Sequence, residues 1–226
     1  MKLQVPNVSS IRGNIRPPSD KSMTHRAYMI GAVAKGPSIV TNPLRAEDCE
    51  MTRRCLWQMG LLGEWLEDNK VRLYPAEQWV QPHDELYCGN SGTSMRLLAG
   101  LIASRALDCT LTGDESLSTR PMKRIAEPLT YMGAKVEGDT APIHIIGRDG
   151  LVGVSYKTPV ASAQIKSCVL LAGLRAQGTT TVSEPARSRD HTERMLQAAG
   201  VPIQMGLRGI SVVGGSQPNG FEMNVP

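Results

Sequence analysis

The chain lacks the features that mark membrane proteins and nucleic-acid-binding proteins. No uninterrupted apolar run approaches the roughly 18 residues that a membrane-spanning helix needs, and the first residues contain no apolar segment typical of a signal peptide. Aromatic residues make up only 4% of the chain, and the lysines and arginines behind its formal net charge of +4 form no basic tract. We therefore expect no membrane insertion, no secretion and no nucleic-acid surface, whereas small anionic ligands suit the mild positive charge.

Cysteine occurs in a pattern that disfavours both zinc binding and a disulfide framework. The five cysteines are odd in number and scattered, without a CxxC pair or a Cys/His cluster. We interpret them as reduced, mostly buried thiols of a cytoplasmic protein. Nor can a metal-binding set, a nucleotide loop or a Ser-His-Asp triad be assembled from the sequence. The cysteines are Cys49, Cys55, Cys88, Cys109 and Cys168.

What the sequence does contain is a threefold internal repeat. Helical patterns rich in small residues recur around Gly31, Gly100 and Gly173, at spacings of 69 (100 minus 31) and 73 (173 minus 100) residues. Each is followed by a β-branched run, then by a second helical pattern that ends at a glycine typical of a C-cap. Two short alternating segments follow, so each unit is predicted to have the order βαβαββ. The predicted caps are Gly60, Gly133 and Gly200.

The alternation of strands and helices predicts an α/β fold. Three such units favour helices shared around a pseudo-threefold axis with sheets outside them, and an ordinary doubly wound sheet is the alternative that the pattern leaves open. The predicted units span approximately residues 20–85, 86–155 and 156–226.

Polar and cationic residues gather where the first helix of each unit is predicted to start. Ser19 and Asp20 are candidate N-caps of the first helix, and Lys21, Ser22 and Arg26 follow in its first turns. The positive end of a helix dipole together with two cations suits phosphate or carboxylate, although a capped surface helix with solvated charges would have the same sequence.

The second and third units repeat this arrangement with different chemistry. Gly92 and its neighbours allow a ligand to approach the backbone closely, and Thr93 offers a hydroxyl. In the third unit Ser162 and Gln164 could bind a hydroxyl or a phosphate oxygen without adding charge. Because threefold symmetry would bring the helix starts together, the recurrence favours a shared anion site over three unrelated caps.

These segments together resemble the enolpyruvyl transferase family, and within it the 5-enolpyruvylshikimate-3-phosphate synthases. The SAQIKS and SRDHTE forms are similar to the variant called class II, in which Ala163 replaces a second serine of the phosphate site. The resemblance implies one lobe of an inside-out α/β barrel, in which each lobe has three βαβαββ units. The matching stretches cover nearly the whole chain and are PSDKSMTHRA, GNSGTSMR, LTGDESLSTRPM, SAQIKSCVLLAGL and SRDHTERML.

The resemblance also implies ligands and residue roles, without a metal or a cofactor. Lys21 resembles the lysine that lies between the two substrates and is the candidate catalytic residue of this chain. The implied shikimate 3-phosphate site consists of Lys21, Ser22, Arg26, Ser162, Ala163, Gln164 and Arg189. The implied phosphoenolpyruvate site consists of Lys21, Gly92, Thr93, Arg120 and Gln164.

Family members have a second lobe of similar size, so we expect residues 20–226 to form the N-terminal lobe. Residues 1–19 would form a first strand and crossover that belong to the second lobe. That complementary C-terminal lobe is the expected partner, and its groups would complete proton transfer. The lobe alone is expected to bind substrate but to be inactive.

Two alternatives to this function stay open at this point. One is the related transferase acting on UDP-N-acetylglucosamine, which typically has Lys followed by Asn at the first helix and a reactive cysteine in a mobile loop. Here Ser22 follows Lys21, and no cysteine lies in a comparable loop. The other alternative is a non-catalytic anion-binding module.

Overall fold

Three four-stranded sheets and seven helices make up the part of the chain that the structure describes, which is residues 9–10, 12–206 and 209–226 of a computed structural model. The first unit contains α1 (Lys21–Ala32), β1 (Ser38–Thr41), α2 (Glu47–Gln58), β2 (Leu62–Leu66) and β3 (Lys70–Tyr74). The second contains β4 (Leu86–Tyr87), α3 (Gly92–Ala103), β5 (Asp108–Thr112), α4 (Glu115–Ser118), α5 (Lys123–Tyr131), β6 (Lys135–Glu137) and β7 (Ile143–Ile146). The third contains β8 (Ser155–Lys157), α6 (Ala163–Gly173), β9 (Thr179–Ser183), α7 (His191–Ala198), β10 (Ile203–Gly206) and β11 (Gly209–Val213), and β12 (Glu222–Asn224) follows it.

The three sheets share one topology. Their strand orders are β12-β1-β3-β2, β4-β5-β7-β6 and β8-β9-β11-β10. In each sheet the first pair is parallel and the remaining two pairs are antiparallel. The threefold βαβαββ repeat predicted from the sequence is therefore confirmed, and the doubly wound alternative is wrong.

The first sheet obtains its first strand from the far end of the chain. β12 pairs in parallel with β1, with Ile39 opposite Glu222 and Thr41 opposite Asn224. The backbone N–H of Asp20 also donates to the carbonyl of Pro226 at 2.8 Å, so the start of α1 is attached to this strand. The sequence prediction did not include this strand.

The helices α1, α3 and α6, here called the inner helices, form the centre of the molecule. Most of their residues are buried, and the three sheets and the second helices of the units pack around them. The closest approach is between α3 and α6, where a methyl group on Gly100 would lie 2.2 Å from the carbonyl oxygen of Cys168. Only glycine permits this approach, which explains why small residues mark these helices.

The glycines predicted to end the second helices do so. Gly60, Gly133 and Gly200 have φ angles of 106°, 107° and 83°. These left-handed conformations favour glycine and turn the chain from helix into the following hairpin. Each hairpin then lies in the sheet of its own unit.

The expected first strand and crossover in residues 1–19 falls partly on residues outside those described, which are residues 1–8 and 11. Among residues 9–10 and 12–19, no helix or strand is present. The assignment of this segment to another lobe, and the unit boundaries, stay predictions. Across the described ranges, no helix has the length and apolar character needed to cross a membrane.

Candidate functional site

The amino-terminal ends of the three inner helices meet at one small cavity. Its volume is about 140 Å³, and it receives side chains from all three units. Arg189, from the loop before α7, is also part of its lining. The cavity is lined by Asp20, Lys21, Ser22, His25, Arg26, Thr93, Ala163, Gln164 and Arg189.

Each inner helix begins at a side-chain cap, and the three caps hold the helix ends in place. The Asp20 carboxylate accepts from Met23 N at 2.6 Å, and the Ser91 and Ser162 hydroxyls accept from Ser94 N at 3.1 Å and Ile165 N at 3.4 Å. A cap satisfies one of the free N–H groups of the first turn and leaves others for a ligand. The structure thus assigns the α1 cap to Asp20, one of the two predicted candidates.

Arg26 is a buried cation held by neutral groups. Its guanidinium donates to Ser22 Oγ at 2.7 Å, Thr192 Oγ1 at 2.7 Å and Ser167 Oγ at 2.8 Å, and the residue is only 3% exposed. Burial, and next the neighbouring charge of Arg189, lower the pKa of Arg26 to about 10, so it stays protonated at neutral pH. No carboxylate forms a salt bridge with it among the described residues, which leaves its charge available to an anionic ligand.

Gln164 joins the second and third units across the cavity. It accepts from Arg96 Nη1 at 2.7 Å through Oε1 and donates to Thr93 Oγ1 at 2.9 Å through Nε2. Both amide atoms are therefore oriented by partners on α3. Arg96 thus fixes the orientation of Gln164.

Gly92 lies between two guanidinium groups. A methyl group on its Cα would lie 2.9 Å from Arg96 Nη1 and 3.5 Å from Arg120 Nη1. Arg120 is held by the carbonyl and side-chain oxygens of Asn90 and by Ser116 Oγ at 3.1 Å. The predicted residues Gly92 and Arg120 are thus neighbours, in a group beside the cavity rather than in its lining.

Lys21 lies at the open edge of the cavity. Its ammonium is 2.7 Å from the Asp48 carboxylate, and the two side chains are 54% and 25% exposed. An ion pair in such a position is weak, so a ligand anion can compete for the lysine.

A buried ionic cluster is attached to the start of α6. Lys166 Nζ lies 2.7 Å from carboxylate oxygens of both Glu184 and Glu193, and none of the three side chains is more than 5% exposed. Glu184 also accepts from Ser162 N at 2.9 Å and from Ser188 Oγ at 2.6 Å. The Lys166 cluster therefore ties the cap of α6 to the loop that carries Arg189.

The predicted site residues are brought together, although their ligand roles stay predictions. Ser162 caps α6 at the cavity, Gly92 and Arg120 lie beside it, and the other seven line it. Sequence analysis did not identify the Lys166 cluster or His25, because neither stands out without knowledge of its partners. Within the described chain, no group of three or more His, Cys, Asp or Glu side chains could hold a metal ion.

Comparison with known proteins shows which family the chain resembles. The family described as EPSP synthase (3-phosphoshikimate 1-carboxyvinyltransferase) matches residues 5–226. A protein of that name from Bacillus licheniformis is 45% identical over 97% of this chain and 52% of its own length. One from Methylococcus capsulatus is 46% identical over 96% of this chain and 51% of its own.

The solved structures give the same result. EPSP synthase from Acinetobacter baumannii superposes with a TM-score of 0.89 at 44% identity, over 95% of this chain and 49% of that one. The chain spans about half the length of the relatives that it matches.

Proposed function

Because the chain belongs to the EPSP synthase family, we propose that it forms the shikimate 3-phosphate site and part of the phosphoenolpyruvate site of a 3-phosphoshikimate 1-carboxyvinyltransferase. The names of the relatives do not favour the UDP-N-acetylglucosamine alternative. The observation that carries the proposal is the cavity at the inner helix ends, where Arg26 and Arg189 lie together without a carboxylate partner among the described residues.

In this proposal the cavity binds shikimate 3-phosphate. Ser22 and Arg26 bind its carboxylate and hydroxyl region. The first turn of α6 receives the 3-phosphate and ring through Ser162, Ala163 and Gln164, with Arg189 adding charge. An anion at these helix starts is stabilised by free N–H groups, the helix dipole and the cations together.

Phosphoenolpyruvate binds beside this cavity, at Gly92, Thr93 and Arg120. Lys21 and Gln164 lie between the two ligands and contact both. The absence of a side chain at Gly92 leaves room for an anion against the two flanking guanidiniums.

The proposed reaction joins these two ligands. In the first step, the shikimate 5-hydroxyl loses its proton and attacks C2 of phosphoenolpyruvate, while the methylene carbon of phosphoenolpyruvate takes a proton and becomes a methyl group. In the second step, phosphate leaves from C2 and the methyl group loses a proton, which restores the carbon–carbon double bond. Lys21 and the arginines stabilise charge in this site. The remaining acid and base groups are proposed to belong to a complementary lobe, so the chain alone binds substrate but does not turn it over. A cytoplasmic location is also proposed, since all five cysteines are free and buried.

Phosphate release tests the proposal directly. The chain, a separately expressed complementary lobe from a family member, and their mixture are each incubated with shikimate 3-phosphate and phosphoenolpyruvate. We expect release only from the mixture, because proton transfer and exclusion of water require both halves. Turnover by the chain alone would refute the division of labour, and calorimetry that detects no shikimate 3-phosphate binding to the chain would refute the site.

A further inference from the structure

Glu184 connects two parts of the proposed phosphate site without lining the cavity itself. Its Oε1 accepts from the backbone N–H of Ser162, the cap of α6, at 2.9 Å. The same carboxylate accepts from the Ser188 hydroxyl, at 2.6 Å through Oε1 and 2.9 Å through Oε2. Neither Glu184 nor Ser188 belongs to the cavity lining, whereas the next residue, Arg189, does. One buried side chain therefore joins the cap of α6 to the loop that carries Arg189.

Arg189 lies where its own charge is unfavourable. It is near enough to Arg26 for its charge to lower the pKa of that arginine. Within the described part of the chain, no hydrogen bond or salt bridge holds the Arg189 guanidinium. Because like charges repel, the cavity lining does not by itself keep this side chain in place. The backbone beside it is held instead, since Ser188 is bound to Glu184 through both carboxylate oxygens.

The charge of Glu184 is taken up by a residue other than the cavity arginines. Its Oε2 lies 2.7 Å from Lys166 Nζ, and neither side chain is more than 5% exposed. Burial opposes ionisation of Glu184, but the hydrogen bonds from the lysine and the two serines outweigh it and hold the pKa of this carboxyl below its usual value. Both oxygens are therefore acceptors at neutral pH. Because Lys166 neutralises the carboxylate, Glu184 can hold the loop without pairing with Arg189.

We propose that Glu184 is a positioning residue, which holds Arg189 and the first turn of α6 at the spacing that a ligand phosphate requires. It acts on Arg189 through the hydroxyl of Ser188, and on the helix start through the N–H of Ser162. This inference rests on the proposed function, in which the phosphate is that of shikimate 3-phosphate.

Glu193 provides a matched control for Glu184. Its side chain is also buried, and its carboxylate also lies 2.7 Å from Lys166 Nζ. Among the described residues, however, it forms no hydrogen bond with Ser162 or Ser188. Glu184→Gln and Glu193→Gln each remove one charge from the Lys166 cluster and keep the shape of the side chain. Calorimetry with shikimate 3-phosphate is carried out on both variants and the unaltered chain, and thermal unfolding establishes that each is folded.

For Glu184→Gln we expect roughly tenfold weaker binding of shikimate 3-phosphate, because a neutral amide accepts through only one of its two terminal atoms. For Glu193→Gln we expect an affinity within roughly threefold of that of the unaltered chain. Equal loss of affinity in the two variants would mean that the Lys166 cluster acts only by supporting the fold, and would overturn the proposal. Unchanged affinity in Glu184→Gln would overturn it as well.

Substitutions at Ser188 test the route to Arg189. Ser188→Ala removes the hydroxyl and Ser188→Thr keeps it, and both are made in the unaltered chain and in Arg189→Ala. Ser188→Ala should weaken shikimate 3-phosphate binding roughly fivefold in the unaltered chain, but less than roughly twofold in Arg189→Ala, where the positioned side chain is already absent. Ser188→Thr should bind within roughly twofold of the unaltered chain, because the hydroxyl still reaches Glu184.

The two backgrounds also distinguish positioning from direct contact. If Ser188→Ala causes the same fold loss with and without Arg189, then Ser188 contacts the ligand itself or supports the fold, and the proposed route is wrong. Failure of shikimate 3-phosphate to bind the unaltered chain would refute the proposed function, and this inference with it. Binding to the unaltered chain with equal affinities in Glu184→Gln and Glu193→Gln would refute the inference alone.

Discussion

The two ends of the inner helices each contain a buried arginine, and the comparison shows when such a residue is available to a ligand. Arg26 is 3% exposed in the first turns of α1, and Arg105 is 6% exposed just after the last turn of α3. Arg105 donates to the carbonyl of Leu101 at 2.7 Å and lies 3.8 Å from the centre of the Trp79 ring. Burial, and next the charge of Arg175, lower the pKa of Arg105 to about 9.

The two arginines differ in the sign of the helix dipole at the end where each one lies. At the carboxyl end, the negative pole and the carbonyl of Leu101 already stabilise Arg105. At the amino end, the positive pole opposes Arg26. A neighbouring arginine acts on each residue, Arg189 on Arg26 and Arg175 on Arg105, so the sign of the dipole is what differs. A small cavity of about 220 Å³ also lies beside Arg105, so neither cavity nor burial distinguishes the ends. The unfavourable electrostatics at the amino end are what an anion would relieve.

The largest predicted effect concerns Lys166, which pairs with two buried glutamates behind the start of α6. Lys166→Met should lower the free energy of unfolding by about 3 to 5 kcal/mol, because it leaves the carboxylates of Glu184 and Glu193 buried without their cation. Urea denaturation measures this, with Lys123→Met as the exposed control. A loss below about 1 kcal/mol would mean that the carboxylates find another partner, such as Arg189, and that the Lys166 cluster does not stabilise the start of α6.

The next prediction tests the two arginines against each other. Arg26→Ala should weaken shikimate 3-phosphate binding by about 1.5 to 3 kcal/mol, the contribution of a charged hydrogen bond, whereas Arg105→Ala should leave that affinity unchanged. Calorimetry on both variants, with thermal unfolding to establish that each is folded, gives the result. Equal loss of affinity in both variants would break the contrast between the helix ends.

The smallest predicted effect is at the glycine between the guanidiniums. Gly92→Ala should weaken phosphoenolpyruvate binding to the chain saturated with shikimate 3-phosphate by about 1 kcal/mol, because the methyl group displaces Arg96 from Gln164. Gly36→Ala is the matched control, since no atom lies within 4 Å of a methyl group there. Unchanged affinity in Gly92→Ala would place the phosphoenolpyruvate site elsewhere.

The features that sequence predicted best are local ones. Gly60, Gly133 and Gly200 end their helices as predicted because left-handed backbone is specified by a single residue. The Asp20 cap is likewise determined within three residues. Repetition then revealed the three units, since each local signal occurred at matching positions.

The features that sequence did not predict depend on distant partners. Lys166 is an unremarkable lysine in its helix until Glu184 and Glu193 are brought to it by the β9 to α7 connection. The buried contact of His25 with Thr52, and that of Thr52 with Ser94, join residues that belong to three different helices. Such contacts follow from the tertiary fold and leave no periodic pattern in the chain.

The pairing of β1 with β12 has a consequence for how the protein is made. Asn42, beside β1, donates to the carbonyl of Val225, which is 183 residues away. At ordinary translation speeds, that stretch takes roughly 10 to 40 s to synthesise. During this interval β1 has an open edge on the nascent chain, and such an edge can pair with strands of other chains. Factors that shield emerging polypeptides on the ribosome would therefore matter more for the first sheet than for the other two, whose strands are each translated within one unit.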